Sequence, residues 1–389
     1  MGKLGKDIIL LGWISFFTDM SSEAMMPVLP FFISTLHGVS SIGSGFALGL
    51  IMGFGTAMAS IVNFLSGIAS DRIGRRKIFI SAGYTTSAIS KLFFPLSQAW
   101  WHLFALVGIE RTGKGLRGAP RDAFIGERYK EERGRAFGFH RAMDTAGAIA
   151  GSILAFIFLW VFKLDYRQIL LIAAIIAFFA IPPIYMLKEK RKEGKREKIE
   201  INSSIKKFTF VATIFYLGNF TYGFFLLRAS KVFNKFGLNG AAIAILMYML
   251  FNIVYASLSM HFGKLSDKIG RRFIITIGYI LFAFTCIGFM LLSYIAENFA
   301  IVLTIILFIL YGMVYALIEG NQRAYAADLS EWKGTSQGVF KASTGLATLP
   351  AGIIAGILWD IMHDLTFIYG AVLAILAASL LATMRIEKD

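Results

Sequence analysis

Polar residues gather in short clusters along this chain, and the stretches between them are long and apolar. Gln168–Leu187, Phe208–Leu227, Gly237–Gly263, Phe273–Ala296, Asn298–Ile318 and Leu365–Met384 contain no Asp, Glu, Lys or Arg. Each approaches or exceeds the roughly 20 residues a helix needs to cross a hydrocarbon core of about 30 Å. Ala24–Ser70 is also free of charge and too long for one helix. Within it, His37–Gly45 (HGVSSIGSG) predicts a turn joining two spans. Adding the stretches punctuated by single charges predicts about twelve spans, centred near residues 22, 56, 87, 108, 149, 177, 221, 250, 284, 309, 346 and 375. The expected fold class is therefore all-α integral membrane, with twelve transmembrane helices.

Composition supports this reading. The chain has 389 residues, 57% hydrophobic and 16% charged, with a mean hydropathy of +0.66. Soluble domains average about 25% charged residues, so a soluble multidomain enzyme is excluded. A single cysteine, Cys286, excludes a disulfide scaffold, and 15% aromatic residues exclude a disordered chain. The net charge of +15 follows the loops. Arg72, Arg75, Arg76 and Lys77 follow the second span, and Arg121, Arg128, Lys130, Arg133 and Arg135 follow the fourth. KEKRKEGKREK (Lys188–Lys198) follows the sixth, and Lys264, Lys268, Arg271 and Arg272 follow the eighth. Odd-numbered connections are poor in charge. The positive-inside rule then puts the even loops and both termini in the cytoplasm of a multi-pass inner-membrane protein. The basic loops favour contact with anionic membrane lipids, and nucleic acid is not an expected partner. The first apolar stretch lacks a small-residue cleavage pattern, so no signal peptide is expected.

The mixed-charge segment 188–207 reads as a cytoplasmic linker between residues 1–187 and 208–389, with six spans on each side. The halves repeat. Gly67-Ile-Ala-Ser-Asp71-Arg72-Ile-Gly74-Arg75-Arg76 returns as Gly263-Lys-Leu-Ser-Asp267-Lys268-Ile-Gly270-Arg271-Arg272, each copy following an even-numbered span. Duplicated six-helix bundles are a transporter architecture, with the solute site expected near the bilayer midplane.

These residues resemble the major facilitator superfamily over essentially the whole chain. Gly67–Arg76 is similar to that superfamily's signature loop between its second and third helices, and Gly263–Arg272 to the copy between the eighth and ninth. The resemblance implies two pseudo-symmetric six-helix bundles, with the loops acting as a conformational latch. In physical terms, Gly67 and Gly74 permit close approach and a tight turn. Asp71 and Asp267 suit helix N-termini, and Arg75 and Arg76 are expected to pair with an acid of the next cytoplasmic loop, Asp122 being the candidate. Arg111-Thr-Gly-Lys114-Gly115 resembles the R-x-x-Q-G signature of proton-coupled members, with lysine in place of glutamine. The resemblance assigns proton coupling to that arginine. The helix-5 segment Asp144–Gly151 lacks the Gly-Pro pair of drug/proton antiporters, although Gly147 and Gly151 suit close helix packing.

Ionisable groups at membrane depth are costly unless paired or facing water, which makes them site candidates. Asp19 and Glu23 lie four apart on one helical face, and two close carboxylates suit proton carriage or a cationic group. Arg111 and Lys114 on span four, Asp144 on span five and Arg228 on span seven complete the candidate substrate- and proton-coupling set. Arg228 is read as facing the cavity and suiting an anionic group, with Asn219, Tyr222 and Asn252 as its polar partners. Arg141–Asp144 is expected as a local pair and His140 as a packed polar residue. Lys91 and Lys231 are read as snorkelling outward, while Glu319, Arg323 and Lys341 are read as structural. Five scattered histidines and one cysteine give no metal site, and there is no nucleotide-binding loop. No cofactor or enzymatic activity is expected. The expected function is secondary active transport of a small-molecule solute by alternating access, as a monomer, coupled to protons and outwardly directed. Organic-anion import or exchange is the alternative, and lipid translocation the alternative of another class.

Overall fold

The computed structural model describes residues 5–129, 132–189, 203–329 and 333–384, and among them every named element is helical. In chain order these are α1 (Lys6–Met25), α2 (Leu29–Ile33), α3 (Val39–Ile42), α4 (Ser44–Ile73), α5 (Arg76–Phe93), α6 (Trp100–Arg128), α7 (Arg133–Trp160), α8 (Tyr166–Phe178) and α9 (Ile181–Tyr185), followed by α10 (Ser203–Gly218), α11 (Gly223–Asn234), α12 (Gly240–Ile269), α13 (Arg271–Leu291), α14 (Glu297–Asp328), α15 (Lys333–Ile361) and α16 (His363–Thr383). Most of the expected linker, 190–202, lies outside the described residues.

Nine helical segments among the described residues are long and apolar enough to cross a membrane. The segments α1, α5 and α6 fall outside that set. They are the ones that carry Asp19, Glu23, Lys91, Glu110, Arg111, Lys114 and Arg117. Local hydropathy is lowest where the buried charges cluster.

The chain divides into two compact units. One takes in Met1–Val39 and Met58–Glu197, the other Ser40–Ala57 and Lys198–Asp389. In the first, α1 packs along α7 and α8, and α5 along α6. Glycine makes the α1–α7 approach possible: a Cβ on Gly151 would stand 2.9 Å from the Ala24 nitrogen and 3.0 Å from the Met20 carbonyl carbon. Gly147 meets the Phe16 backbone one turn away, the close packing its spacing suggested.

In the second unit, α13 packs on α14 and α16, α12 on α14, and α10 on α15 and α16. The start of α4, which belongs to this unit, receives a carboxylate cap. The amides of Gly45 and Phe46 each donate to Asp360 at 2.8 Å, filling donors a helix start leaves open.

Two expected continuous spans are broken. The first ends as α1 at Met25, ahead of Pro27, and resumes as the short α2; a proline ring and its missing N–H explain the interruption. The seventh stops at Gly218 and restarts at Gly223. Backbone groups freed inside a membrane must find partners. Here the Tyr369 hydroxyl donates to the Leu217 carbonyl at 2.7 Å, and the Thr221 hydroxyl accepts from the Gly223 amide at 3.3 Å.

Candidate functional site

The first unit gathers its charges between α1, α5, α6 and α7. Asp19 is half-buried. Asp144 on α7 and the cations Lys114, Arg117 and Arg121 act on it electrostatically. Glu23, one turn along, is also half-buried. Asp144 also accepts from the Ser15 hydroxyl and lies 3.5 Å from His140 Nδ1. Asp144 is therefore matched with His140 and Ser15, where sequence suggested Arg141. The His140 ring is buried, and its Nε2 has no hydrogen-bond partner among the described residues.

Next to this pair lies a polar network with a buried centre. Lys91 on α5 is 0% exposed, and its Nζ donates to Ser22 at 2.8 Å and Ser21 at 3.0 Å on α1. Snorkelling was the wrong expectation. The flanking chain offers the ammonium two hydroxyls and the field of Glu110 instead of an outward path. Glu110 is likewise 0% exposed; it accepts from Ser87 at 2.9 Å and sits 3.4 Å from Arg111 Nε. Arg111 reaches the Met26 sulfur at 2.9 Å. Lys114, on the same helix, is exposed, and the charges it feels are Arg111, Asp19, Glu110 and Arg117. Arg117 is buried with its guanidinium 4.4 Å from the Tyr84 ring centre.

The loops that follow α4 and α12 hold ion pairs at both copies of the repeat. Arg76 pairs with Asp71 and with Glu127, the latter at 2.9 Å, and donates to the Ser70 hydroxyl at 2.6 Å. Its backbone amide, and that of Lys77, donate to Glu189. Asp122 instead pairs with its neighbour Arg121 at 3.0 Å, because Glu127, a turn nearer the helix end, reaches Arg76 first. Arg72 and Arg75 are exposed. In the second copy, Arg271 pairs with Asp267 at 3.0 Å and Asp328 at 2.7 Å. Arg272 donates to the carbonyls of Leu381, Ala382 and Met384 at 2.6–2.9 Å, capping the end of α16. Gly74 and Gly270 turn the chain at φ of 68° and 101°, a region open to glycine. Gly67 faces Ala119 closely, whereas a Cβ on Gly263 would meet nothing within 4 Å, so close approach explains only the first.

Arg228 does not face an open cavity. It is buried, pairs with Asp364 at 2.5 Å, and donates to the carbonyls of Phe289 and Met290 at 3.1 and 3.0 Å and to the Ser293 hydroxyl. The guanidinium closes the C-terminal turn of α13 onto the start of α16, where exposed carbonyls favour a cation. Lys231 stacks over Trp359 and contacts His363. The Asn219, Tyr222 and Asn252 set belongs elsewhere. Around the α10–α11 break, Tyr222 lies 4.7 Å from Tyr248 between ring centres, and stacked rings continue through Phe251 to Tyr255. Tyr255 donates to Glu319, which also holds Arg323. No group of three metal-binding side chains occurs among the described residues.

The family model described as Major Facilitator Superfamily matches residues 11–352. The chain belongs to the major facilitator superfamily. An MFS-type transporter of Methanocaldococcus jannaschii, itself uncharacterised, is 42% identical over 97% of this chain and 95% of its own length. The multidrug resistance protein MdtH of Cronobacter sakazakii is 24% identical over 40% of this chain and 39% of its own. Among solved structures, the nucleoside transporter NupG matches with a TM-score of 0.79 at 15% identity, covering 97% of this chain and 100% of that one. A D-xylose–proton symporter matches at 0.75 and 15% identity, covering 98% and 97%. Membership makes the chain a multi-pass secondary transporter of the superfamily fold and not an enzyme.

Within that superfamily fold, sequence reasoning found most of the charged residues but few of their partners. Glu127, Asp328 and Asp364 went unremarked, as did the Asp7–Arg128 pair at 2.5 Å. Each of these acids sits near a helix end, more than 50 residues from its arginine. No periodic pattern links such positions. Ser15, Ser21, Ser22 and Ser87 look like ordinary small residues of apolar helices and were equally silent.

Proposed function

We propose that this transporter couples movement of a small organic solute to protons through Asp19, with net export from the cytoplasm. The observation that carries the reading is the bond from Ser15 of α1, one turn before the half-buried Asp19, to Asp144 of α7, which with the exposed ammonium of Lys114 acts electrostatically on Asp19. Two facing carboxylates hold one proton more cheaply than two bare charges. Lys114 and a proton then compete for the same carboxylate. Protonation of Asp19 weakens its attraction for Lys114, and loss of the proton restores it, which ties proton occupancy to the position of α6 against α1. Glu110 and Lys91 complete the charge balance behind the pair. Arg76 and Arg271 act as the cytoplasmic latch, with both termini on that side of the cell membrane. Partial similarity to multidrug efflux proteins supports the outward direction.

The test is solute-dependent proton flux in liposomes holding purified protein and a pH-sensitive dye. Asp19→Asn and Asp144→Asn are each expected to abolish it, and intact flux in both variants would sink the proposal. A second reading, exchange of organic anions, is favoured by the excess of cations on α5 and α6: Lys91, Arg111, Lys114 and Arg117 against Glu110. Counterflow of an anion that needs no pH gradient and survives Asp19→Asn would select it.

A further inference from the structure

Helices α5 and α6 bury more positive charge than their own carboxylate answers. Among the described residues, Lys91 and Arg117 are the buried cations of these two helices and Glu110 their one buried carboxylate. Glu110 is already engaged: it accepts from Ser87 at 2.9 Å and lies 3.4 Å from Arg111 Nε. Lys91 is held by the hydroxyls of Ser22 and Ser21 at 2.8 and 3.0 Å. Arg117 has neither kind of partner. Among the described residues no hydrogen bond or ion pair reaches its guanidinium, and Nη1 is buried without an acceptor. Its contact is the Tyr84 ring, whose centre lies 4.4 Å from the guanidinium carbon. A ring face answers a cation's charge in part and takes up none of the N–H groups in the plane of the fork. Buried donors are seldom left orphaned, and a buried charge without a counter-charge is costly. The partner this guanidinium calls for therefore carries negative charge and accepts hydrogen bonds. It is also small. Arg117 is 4% exposed, and the two helices touch beside it: a Cβ on Gly83 would stand 2.6 Å from the Gly113 carbonyl oxygen and 2.9 Å from the Arg117 nitrogen. Tyr84 belongs to an apolar cluster with Ile80, Phe124 and Ile125. Such surroundings penalise a multiply charged, strongly hydrated anion more than a halide.

We propose that Arg117 holds a resident monovalent inorganic anion, chloride or a like halide, at the α5–α6 interface. The ion accepts from the edge of the guanidinium while Tyr84 covers its face, and it supplies the negative charge that Glu110, taken by Arg111, does not. It is neither the solute nor the coupling ion. Its role is to let a buried arginine stand between two closely packed helices. The assignment goes beyond the proton-coupling reading and does not depend on it, because binding needs no gradient and no proton.

The experiment uses purified full-length protein in detergent, at fixed pH and ionic strength, with gluconate replacing chloride. Equilibrium dialysis of radiolabelled chloride reads binding, and the melting temperature reads its linkage to folding. The native protein is expected to bind chloride saturably and to melt about 2–4 °C higher at saturation than in gluconate. Arg117→Gln should lose both effects. Arg117→Lys, which keeps the charge and gives up the planar fork, should bind about tenfold more weakly. A gel-filtration profile certifies folding, and the lysine variant carries the test if the glutamine variant does not fold. Benzoate, too large for the site, should leave the bound chloride in place. Three results would overturn the assignment: no saturable binding by the native protein, binding left unchanged in every folded Arg117 variant, or one-for-one displacement by benzoate, which would give Arg117 to an organic solute. Asp19→Asn is expected to bind chloride as the native protein does. Proton flux absent from the native protein, with chloride binding intact and dependent on Arg117, would reject the coupling reading and leave the anion site standing. Intact flux without chloride binding would do the reverse.

Discussion

Replacing Arg228 with methionine should damage the fold rather than solute recognition. The guanidinium and the Asp364 carboxylate are 2.5 Å apart, and each side chain is only 8% exposed. At an effective dielectric near 20, two unit charges about 4 Å apart attract by about 4 kcal/mol. Methionine fills much of the same volume but leaves Asp364 to the Ser293 and Tyr294 hydroxyls alone. It also strips donors from two carbonyls at the end of α13. Breaking a buried pair from one side costs about 3–5 kcal/mol, because the remaining charge stays buried. The assay is unfolding in mixed micelles of Arg228→Met, Asp364→Asn and the double variant. The single arginine variant should lose about 3–5 kcal/mol, and the double variant should recover about 1–3 kcal/mol of the summed loss as coupling. Solute binding per folded molecule should be unchanged. An Arg228→Met protein as stable as the native one, with solute binding lost, would refute the structural role and return Arg228 to the cavity.

Three further outcomes follow from the same geometry. Lys91→Met should lower stability by about 3–5 kcal/mol, since one-sided removal of a buried charge leaves Glu110, 0% exposed, with less compensating charge; pH-driven flux per folded molecule should fall at least about tenfold, and retained flux in the folded variant would separate Lys91 from coupling. Gly151→Val should lower stability by about 1–3 kcal/mol by forcing α7 away from the Met20 and Ala24 backbone, as read by melting temperature. Among the loop arginines, Arg76→Gln and Arg271→Gln should slow transport while leaving solute affinity intact, and Arg75→Gln should slow it least, as measured by initial rates at saturating solute. Equal slowing by Arg75→Gln and Arg76→Gln would contradict the ion-pair assignment.

The fold was legible because the bilayer imposes a strong length rule and the repeat advertises itself in ten residues. The loop glycines were legible for the same reason, a tight turn written in a fixed pattern. Partnerships were less so. Arg228 stands out as an arginine in an apolar run, yet its fate depends on Asp364, which lies at a helix start far along the chain and looks like a loop residue. Lys91 suffered the same limitation, because serine hydroxyls that hold an ammonium carry no sequence mark. The α10–α11 break was missed because no proline announces it and its apolar run is uninterrupted. At the break the Thr221 and Tyr369 hydroxyls satisfy freed backbone groups, which leave no mark in the sequence.

The two loop repeats carry nearly the same ten residues, yet they divide the labour between their paired arginines differently. Arg76, the second of its pair, grips the acids in one half, whereas Arg271, the first of its pair, does so in the other and leaves Arg272 free to cap α16. After duplication, then, the receiving helix ends and not the loop itself came to decide which cation does what. Grafting one loop into the place of the other would carry the residues across and leave the contacts behind. Two copies of one ancestral segment have become separate parts, and a substitution understood in one half foretells little about the same letter in the other.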